Sequence, residues 1–203
     1  MKFLIYGVTK GRGDGIGRTV ALQLQARGHE IWGLCRDAGK AAATTDIKVE
    51  AIDIGTDCGI DRLKGILREF NPDIIWSTCG TGSSSPIWTT PMQEIENMID
   101  ANIRNTLIFC KACAPSCIDG GPHLVLTGSV AAIIAEGAAV YSGTKGFLLP
   151  FVRSMRTEFL RQGRKARIST LVLPRMRDLG ADAITSTLEF LAMQPRGVDV
   201  LWG

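Results

Sequence analysis

Two kinds of stretch alternate along the 203 residues. Short, nearly continuous apolar runs stand at Phe3–Val8, Glu30–Cys35, Lys48–Asp53, Pro72–Ser77, His123–Thr127 and Arg167–Leu173. Between them, Gly17–Arg27, Asp61–Phe70, Met92–Ala114, Tyr141–Arg161 and Ala183–Met193 carry apolar residues at helical spacing. The apolar runs predict strands covered on both faces, as in a parallel sheet. Gly28 falls where a helix end favours glycine. The polar, alanine-rich stretch before Lys48 has room for a further helix, Thr81–Pro91 reads as a polar loop, and Val198–Leu201 as a last strand. Strand–helix alternation predicts an α/β fold, a doubly wound parallel sheet with helices on both faces and right-handed crossovers. Such folds bind ligands at the carboxyl ends of the strands. With no repeat, linker or low-complexity segment, residues 1–203 read as one domain.

Composition narrows the function. A net charge of only +3 gives no case for nucleic acid or an anionic membrane as partner. No apolar run reaches the ~18 residues of a membrane span. Met1–Tyr6 is apolar, but Gly7 to Arg18 breaks it, so it reads as a buried first strand of a cytoplasmic protein. Among the six cysteines, Cys110, Cys113 and Cys117 cluster on a predicted helix and its exit. A zinc site would need a fourth ligand, and no second Cys or His pair stands at ligand spacing, so these are read as buried thiols and no metal is expected. His29 and His123 are read as ordinary surface or edge residues.

Two motifs carry chemistry. The first is the turn Thr9-Lys-Gly11-Arg12-Gly13-Asp-Gly15-Ile16-Gly17, which follows the first strand and opens a helix. Glycines let a backbone approach a phosphate, and a helix N-terminus favours an anion, so this Rossmann-type setting suits a dinucleotide pyrophosphate. The usual Gly-x-Gly-x-x-Gly spacing is absent; Gly11-x-x-x-Gly15-Ile16-Gly17 stands in its place. The second motif is Tyr141-Ser-Gly-Thr-Lys145 with Ser129 before it. Residues four apart on a helix share one face, and an ammonium beside a phenol favours the phenolate. The pair then suits acid–base work near neutral pH, with Ser129 at the end of the preceding strand in reach of the same oxygen.

Taken jointly and in order, these motifs resemble the short-chain dehydrogenase/reductase family of NAD(P)-dependent oxidoreductases, over nearly the whole chain. The family carries Thr-Gly-x-x-x-Gly-Ile-Gly, then Asn-Asn-Ala-Gly after the fourth strand, an Asn in the next helix, a Ser after the fifth strand, and Tyr-x-x-x-Lys. The resemblance implies that Gly11, Gly15 and Gly17, with Ile16 between them, line the pyrophosphate. It implies that Asp53 meets the adenine amine with Ile54 beside it, and that Pro174 stands near the nicotinamide. Asn102 would hold its helix and a relay water, and Ser129 would polarise the carbonyl. Tyr141 would transfer the proton, and Lys145 would bind the nicotinamide ribose. The expected reaction is hydride transfer between the cofactor and a small carbonyl or alcohol substrate, free or carrier-tethered, in a homodimer or homotetramer.

Several departures shape the expectations. Thr9 and Gly15 are one residue further apart than in the family, and Ser77-Thr78-Cys79-Gly80 replaces Asn-Asn-Ala-Gly, removing an asparagine that braces the strands. The stretch after Pro174 is short, which predicts a substrate site open on one side. Pro150 lacks the N–H that would bond Gly146 and predicts a kink. The cations Arg153, Arg156, Arg161, Arg164, Lys165 and Arg167 read either as a solvated helix face or as a dock for an acidic partner. At the end of the second strand, Arg36 precedes Asp37, and an arginine there accommodates the 2′-phosphate of NADP, with Arg12 approaching from the turn. NADP(H) is therefore favoured over NAD(H). The rival reading is a cofactor-binding sensor or scaffold without turnover.

Overall fold

The computed structural model describes residues 1–8, 10–11, 13–134, 137–174 and 180–194. Its centre is β1 (Lys2–Tyr6), paired in parallel with β4 (Glu30–Cys35) on one side and β6 (Ile74–Ser77) on the other. Adding β5 (Lys48–Ala51), β7 (His123–Ser129) and β8 (Ile168–Leu173) gives a six-stranded sheet in the order β5-β4-β1-β6-β7-β8. The order reverses direction between β1 and β6, which is where a doubly wound sheet opens a ligand crevice at its carboxyl edge. Two arms too short to join this sheet, β2 (Lys10–Gly11) and β3 (Gly13–Asp14), make an antiparallel hairpin in the glycine turn.

Because side chains alternate across a strand, each sheet face gathers its own core. From β1, Leu4 and Tyr6 point to the face that packs on α3 (Asp57–Phe70), α5 (Asn105–Cys117) and α7 (Leu148–Arg161), whereas Phe3 and Ile5 point to α1 (Ile16–Ala26) and α8 (Ala181–Met193). Both sets are fully buried, which is why β1 reads as an unbroken apolar run. Tyr6 stacks on Phe109 of α5 at 5.0 Å between ring centroids. Thr56 caps α3 by accepting from the Gly59 N–H, and Asn71, left-handed at φ 46°, ends it.

Three expected elements are differently cut. The strand from Lys48 stops at Ala51, because Asp53 turns the chain by accepting the Gly55 N–H on its side chain. The long helix from Met92 is α4 (Met92–Ile99), a π-helical turn over Asp100–Arg104, and then α5. The helix bearing Tyr141 is α6 (Ala139–Gly146) and α7, divided at Phe147, where Pro150 has no N–H for the Gly146 carbonyl. The alanine-rich stretch holds the short α2 (Ala38–Ala42). His123, expected at the surface or an edge, is instead 2% exposed on the inner strand β7, bonded through Nε2 to Ser169 Oγ at 2.8 Å. The strand expected at Val198–Leu201 and the turn position Arg12 lie outside the described residues. No described helix is long and apolar enough to cross a membrane.

Candidate active site

The carboxyl edge of the sheet supplies the floor of the site. α1 begins directly above β1, and its N-cap Gly15 is extended, with no side chain capping the helix. Gly17 lies so close to β1 that a Cβ there would stand 2.6 Å from the Gly7 carbonyl oxygen and 2.8 Å from Thr78 Oγ1. The positive end of α1 is thus held bare over the crevice, as an anion site requires. Thr78, in the segment that replaces Asn-Asn-Ala-Gly, directs its hydroxyl at the carbonyl oxygens of Tyr6 and Gly7, each at 3.2 Å. It ties the end of β6 to the end of β1 and restores part of the missing brace. A second tie joins β6 to β7: Thr127 Oγ1 donates to the Ser77 carbonyl at 2.7 Å and accepts from Trp76 Nε1 at 3.0 Å.

Six predicted residues converge on one cleft. Ser129 at the end of β7, Tyr141 and Lys145 on α6, and Gly80 after β6 line it, together with Ile16 and Pro174. Lys145 is 8% exposed and donates from Nζ to the Thr127 carbonyl at 3.0 Å. Burial lowers its pKa from the usual lysine range. Ser129 Oγ accepts the Ala131 N–H at 3.2 Å, which fixes the oxygen and leaves the O–H as the group it can donate. Gly82 lies against Tyr141, where a Cβ would come within 2.8 Å of the ring.

Asn102 sits in the π-helical turn, 3% exposed, and its amide is fully engaged. Oδ1 accepts the Thr81 N–H, and Nδ2 donates to the Thr81 carbonyl and to Thr144 Oγ1, all at 2.8 Å. Thr144 Oγ1 in turn donates to the Tyr141 carbonyl at 2.9 Å. One buried amide therefore pins the Thr81–Gly82 loop to α6, and so fixes Tyr141 from two sides. Gly80 lies between the partners: a Cβ there would be 2.8 Å from Asn102 Oδ1 and 3.0 Å from Lys145 Nζ. Thr81, Thr127 and Thr144 were not singled out from the sequence, whereas Thr78 stood in the segment that replaces Asn-Asn-Ala-Gly; of the three, only Thr144 carried a signal, being three residues after Tyr141 on the same helix face.

A larger cavity of about 490 Å³ continues from the cleft past Gly7, Cys79, Cys35 and Arg36 to the π-helical turn. Cys79 is half-buried, and burial pushes its thiol up to about 12 against the pull of Arg36 and Lys145, so it stays neutral. Beyond it, Arg36, Asp37, Lys40 and Asp53 ring an open recess. The Asp37 carboxylate caps α2, accepting the Lys40 N–H at 3.0 Å, and Asp53 is held by Gly55. Ile54 is buried in the core rather than facing a cavity. Gly11 lies in the hairpin, paired with Gly13. Cys110, Cys113 and Cys117 are buried thiols, with Cys110 and Cys117 each raised to about 12 by burial.

A doubly wound sheet with a serine, a tyrosine–lysine pair and a buried asparagine at its carboxyl edge defines a class of nucleotide-dependent oxidoreductases. The chain belongs to the short-chain dehydrogenase/reductase family: the family model described as short chain dehydrogenase matches residues 7–174. Hydride transfer with NAD(P) is general in that family. Among curated relatives, a very-long-chain 3-oxoacyl-CoA reductase of Ajellomyces capsulatus is 31% identical over 159 residues, covering 70% of this chain and 47% of its own length. An uncharacterized oxidoreductase of Staphylococcus aureus strain MRSA252 is 25% identical over 201 residues, covering 94% of this chain and 86% of its own. The chain thus spans less than half of the fungal reductase and most of the staphylococcal one. Among solved structures, serine dehydrogenase from Escherichia coli superposes with a TM-score of 0.83 at 20% identity, over 98% of this chain and 94% of that one. It establishes the shared fold.

Proposed function

We propose that this chain is an NADP(H)-dependent oxidoreductase that reduces a ketone to an alcohol, with Ser129, Tyr141, Lys145 and Asn102 as its working set. The observation that carries the reading is the Asn102 amide, which locks the Thr81–Gly82 loop and α6 together around Tyr141. A binding protein without turnover has no need of a tyrosine held in this way. Several features support a dinucleotide in the crevice: the bare start of α1, and the absence of room for a Cβ at Gly17 and Gly80. When bound, the nicotinamide supplies the hydride. Tyr141 protonates the carbonyl oxygen as the carbon is reduced. Ser129 donates its O–H to the same oxygen and stabilises the negative charge that develops there. Lys145 binds the ribose hydroxyls and keeps a positive charge beneath the site. Gly15, Ile16 and Gly17 hold the pyrophosphate together with Gly11, and Arg12, which lies outside the described residues, is assigned with Arg36 to the 2′-phosphate. Asp53, with the backbone of Ile54, meets the adenine, and Pro174 backs the nicotinamide.

Two observations support NADP over NAD. Arg36 and Lys40 border one recess where the adenosine ribose would emerge, and Asp37, the acid that could otherwise select NAD, is engaged in capping α2. A serine dehydrogenase fold neighbour was also solved in a closed form complexed with NADP⁺. The substrate is a carbonyl compound, free or carried on a thioester, and the name of the fungal relative supports the carried form. We further place the protein in the cytoplasm as a single-domain homodimer or homotetramer. Residues 175–179, expected to leave the substrate side open, lie outside the described residues. The test is Tyr141→Phe, measured with a panel of ketones and NADPH. Turnover should fall roughly 10²–10⁴-fold, the usual share of a general acid, while NADPH affinity is kept. Wild-type turnover in the Phe variant would remove Tyr141 from the mechanism.

A further inference from the structure

The proposed reaction leaves one buried titratable group at the crevice without a task. Tyr6 closes β1 and lines the floor of the cavity of about 490 Å³, together with Arg36, Cys79 and Gly80. The residue is 1% exposed, and no described nitrogen or oxygen hydrogen-bonds its hydroxyl. The group beside that hydroxyl is the Cys79 thiol, a weak donor and a weak acceptor. Packing asks only for the ring of this side chain, which stacks on Phe109 of α5 with centroids 5.0 Å apart and planes 14° from parallel. A phenylalanine would fill the same space and make the same stack. A buried hydroxyl without a strong partner costs the fold more than it contributes, because it has lost water and gained little. Such groups are rare in folded proteins, and each calls for a reason.

The surroundings supply one. Tyr6 lies in the field of Arg36 and Asp53, the residues assigned to the 2′-phosphate and the adenine in the proposed cofactor site. Burial first, and then the Cys79 thiol, raise its pKa above the ordinary tyrosine value, although Arg36 pulls the other way. The phenol is therefore a neutral O–H donor at and around neutral pH. Adenosine offers such a donor several acceptors, in the ring nitrogens of its base and the oxygens of its ribose.

We infer that Tyr6 is a further cofactor-binding residue, whose hydroxyl donates to the adenosine of the dinucleotide and finds there the strong partner that the protein does not provide. The inference rests on the proposed cofactor site and assigns part of its floor to a side chain of the central strand. It also accounts for an oxygen that the fold alone has no use for.

The probe is adenosine 2′,5′-bisphosphate, which carries the adenosine half of the cofactor without the nicotinamide, titrated by calorimetry. Tyr6→Phe should bind it roughly threefold to tenfold more weakly than wild type, the share of one hydrogen bond. The free variant should melt at the wild-type temperature or above it, because a buried hydroxyl without a strong partner has been removed. A tyrosine with a purely structural role gives the reverse, a lower melting temperature with unchanged affinity, and that result overturns the inference. Should the variant melt lower and also bind more weakly, or not fold, wild type decides. Tyr6 and Tyr141 are the two tyrosines of the chain, so protein isotope-labelled at the tyrosine ζ carbons gives two resonances, told apart by Tyr141→Phe. The Tyr6 resonance should shift as the probe binds, and a stationary one refutes the contact. Failure of the probe to bind wild type at all would overturn the cofactor site and Tyr6 with it. Binding to wild type that Tyr6→Phe leaves intact removes Tyr6 alone.

Discussion

Two threonine hydroxyls tie neighbouring strand ends together at the cleft, Thr78 and Thr127 each binding a backbone carbonyl that another strand end brings to it. Thr78 is the sharpest case, because its one side chain faces the ends of β1 and touches the space Gly17 leaves open. Thr78→Val keeps the volume and removes the donor. A buried hydrogen bond contributes about 1 kcal/mol, and carbonyls left without a donor cost more. The expected result is a loss of roughly 1–3 kcal/mol in urea unfolding, by that estimate, together with weaker cofactor binding. Thr78→Ser should restore both, and a Val variant equal to wild type in both would deny the brace. At the other end of the crevice, Arg36→Ala should abolish the preference for NADP over NAD in binding titrations. An Ala variant that still prefers NADP would overturn the proposed role. That Ser129, Tyr141 and Lys145 share one cleft could be read directly, because the proposed acid–base chemistry demands those residue types at that spacing. Thr127 could not: a hydroxyl near a carbonyl is common, and the Ser77 carbonyl arrives only through the pairing of two strands distant in the chain.

At the scale of elements, strand positions were legible because strands buried on both faces leave apolar runs with sharp polar borders. The division of the segment after Met92 was not. A π-helical turn inserts one residue while both flanking helices keep their apolar faces, so Asp100–Arg104 reads as ordinary helix. Pro150 was legible because it lacks a donor wherever it stands, and the break at Phe147 follows. The π-helical turn matters because it orients Asn102 towards Thr81 and Thr144. Deleting Arg104, an exposed residue paired with Asp100 at 2.9 Å, should let α4 and α5 run on as one α-helix and turn Asn102 away. Helical content would be kept, whereas turnover would fall by tenfold or more, together with stability, as a buried amide loses its partners. Wild-type turnover in the deletion variant, with its helical spectrum intact, would show that the turn does not set the site.

For the molecule as a whole, the sequence concealed one buried titratable group that governs how the fold meets acid. His123 reads as an edge residue because it opens a strand beside Gly121 and Pro122, and only the pairing of β7 between β6 and β8 buries it. Its pKa of about 3 in the fold, set by burial and then by Arg167, compares with an ordinary value of 6.5 in the unfolded chain. Between those values the unfolded chain holds a proton that the folded chain does not, so stability falls as the solution is acidified through this window. At ~1.36 kcal/mol per pKa unit, the loss amounts to a few kcal/mol, complete only near the folded pKa. Glu189 acts in the same direction at lower pH. Burial raises its pKa, but hydrogen bonds from His29 and Arg27 outweigh that and hold it below the usual glutamate value. Its contribution is therefore lost only as pH falls through that depressed value. The two are separated by His123→Gln, which keeps an amide in place to meet Ser169 and cannot take up the proton. Urea midpoints measured from about pH 7 down to about pH 4 should fall steeply in wild type and clearly less in the variant, although the variant starts lower at neutral pH. Parallel curves would assign the acid sensitivity to the carboxylates and remove His123 from it.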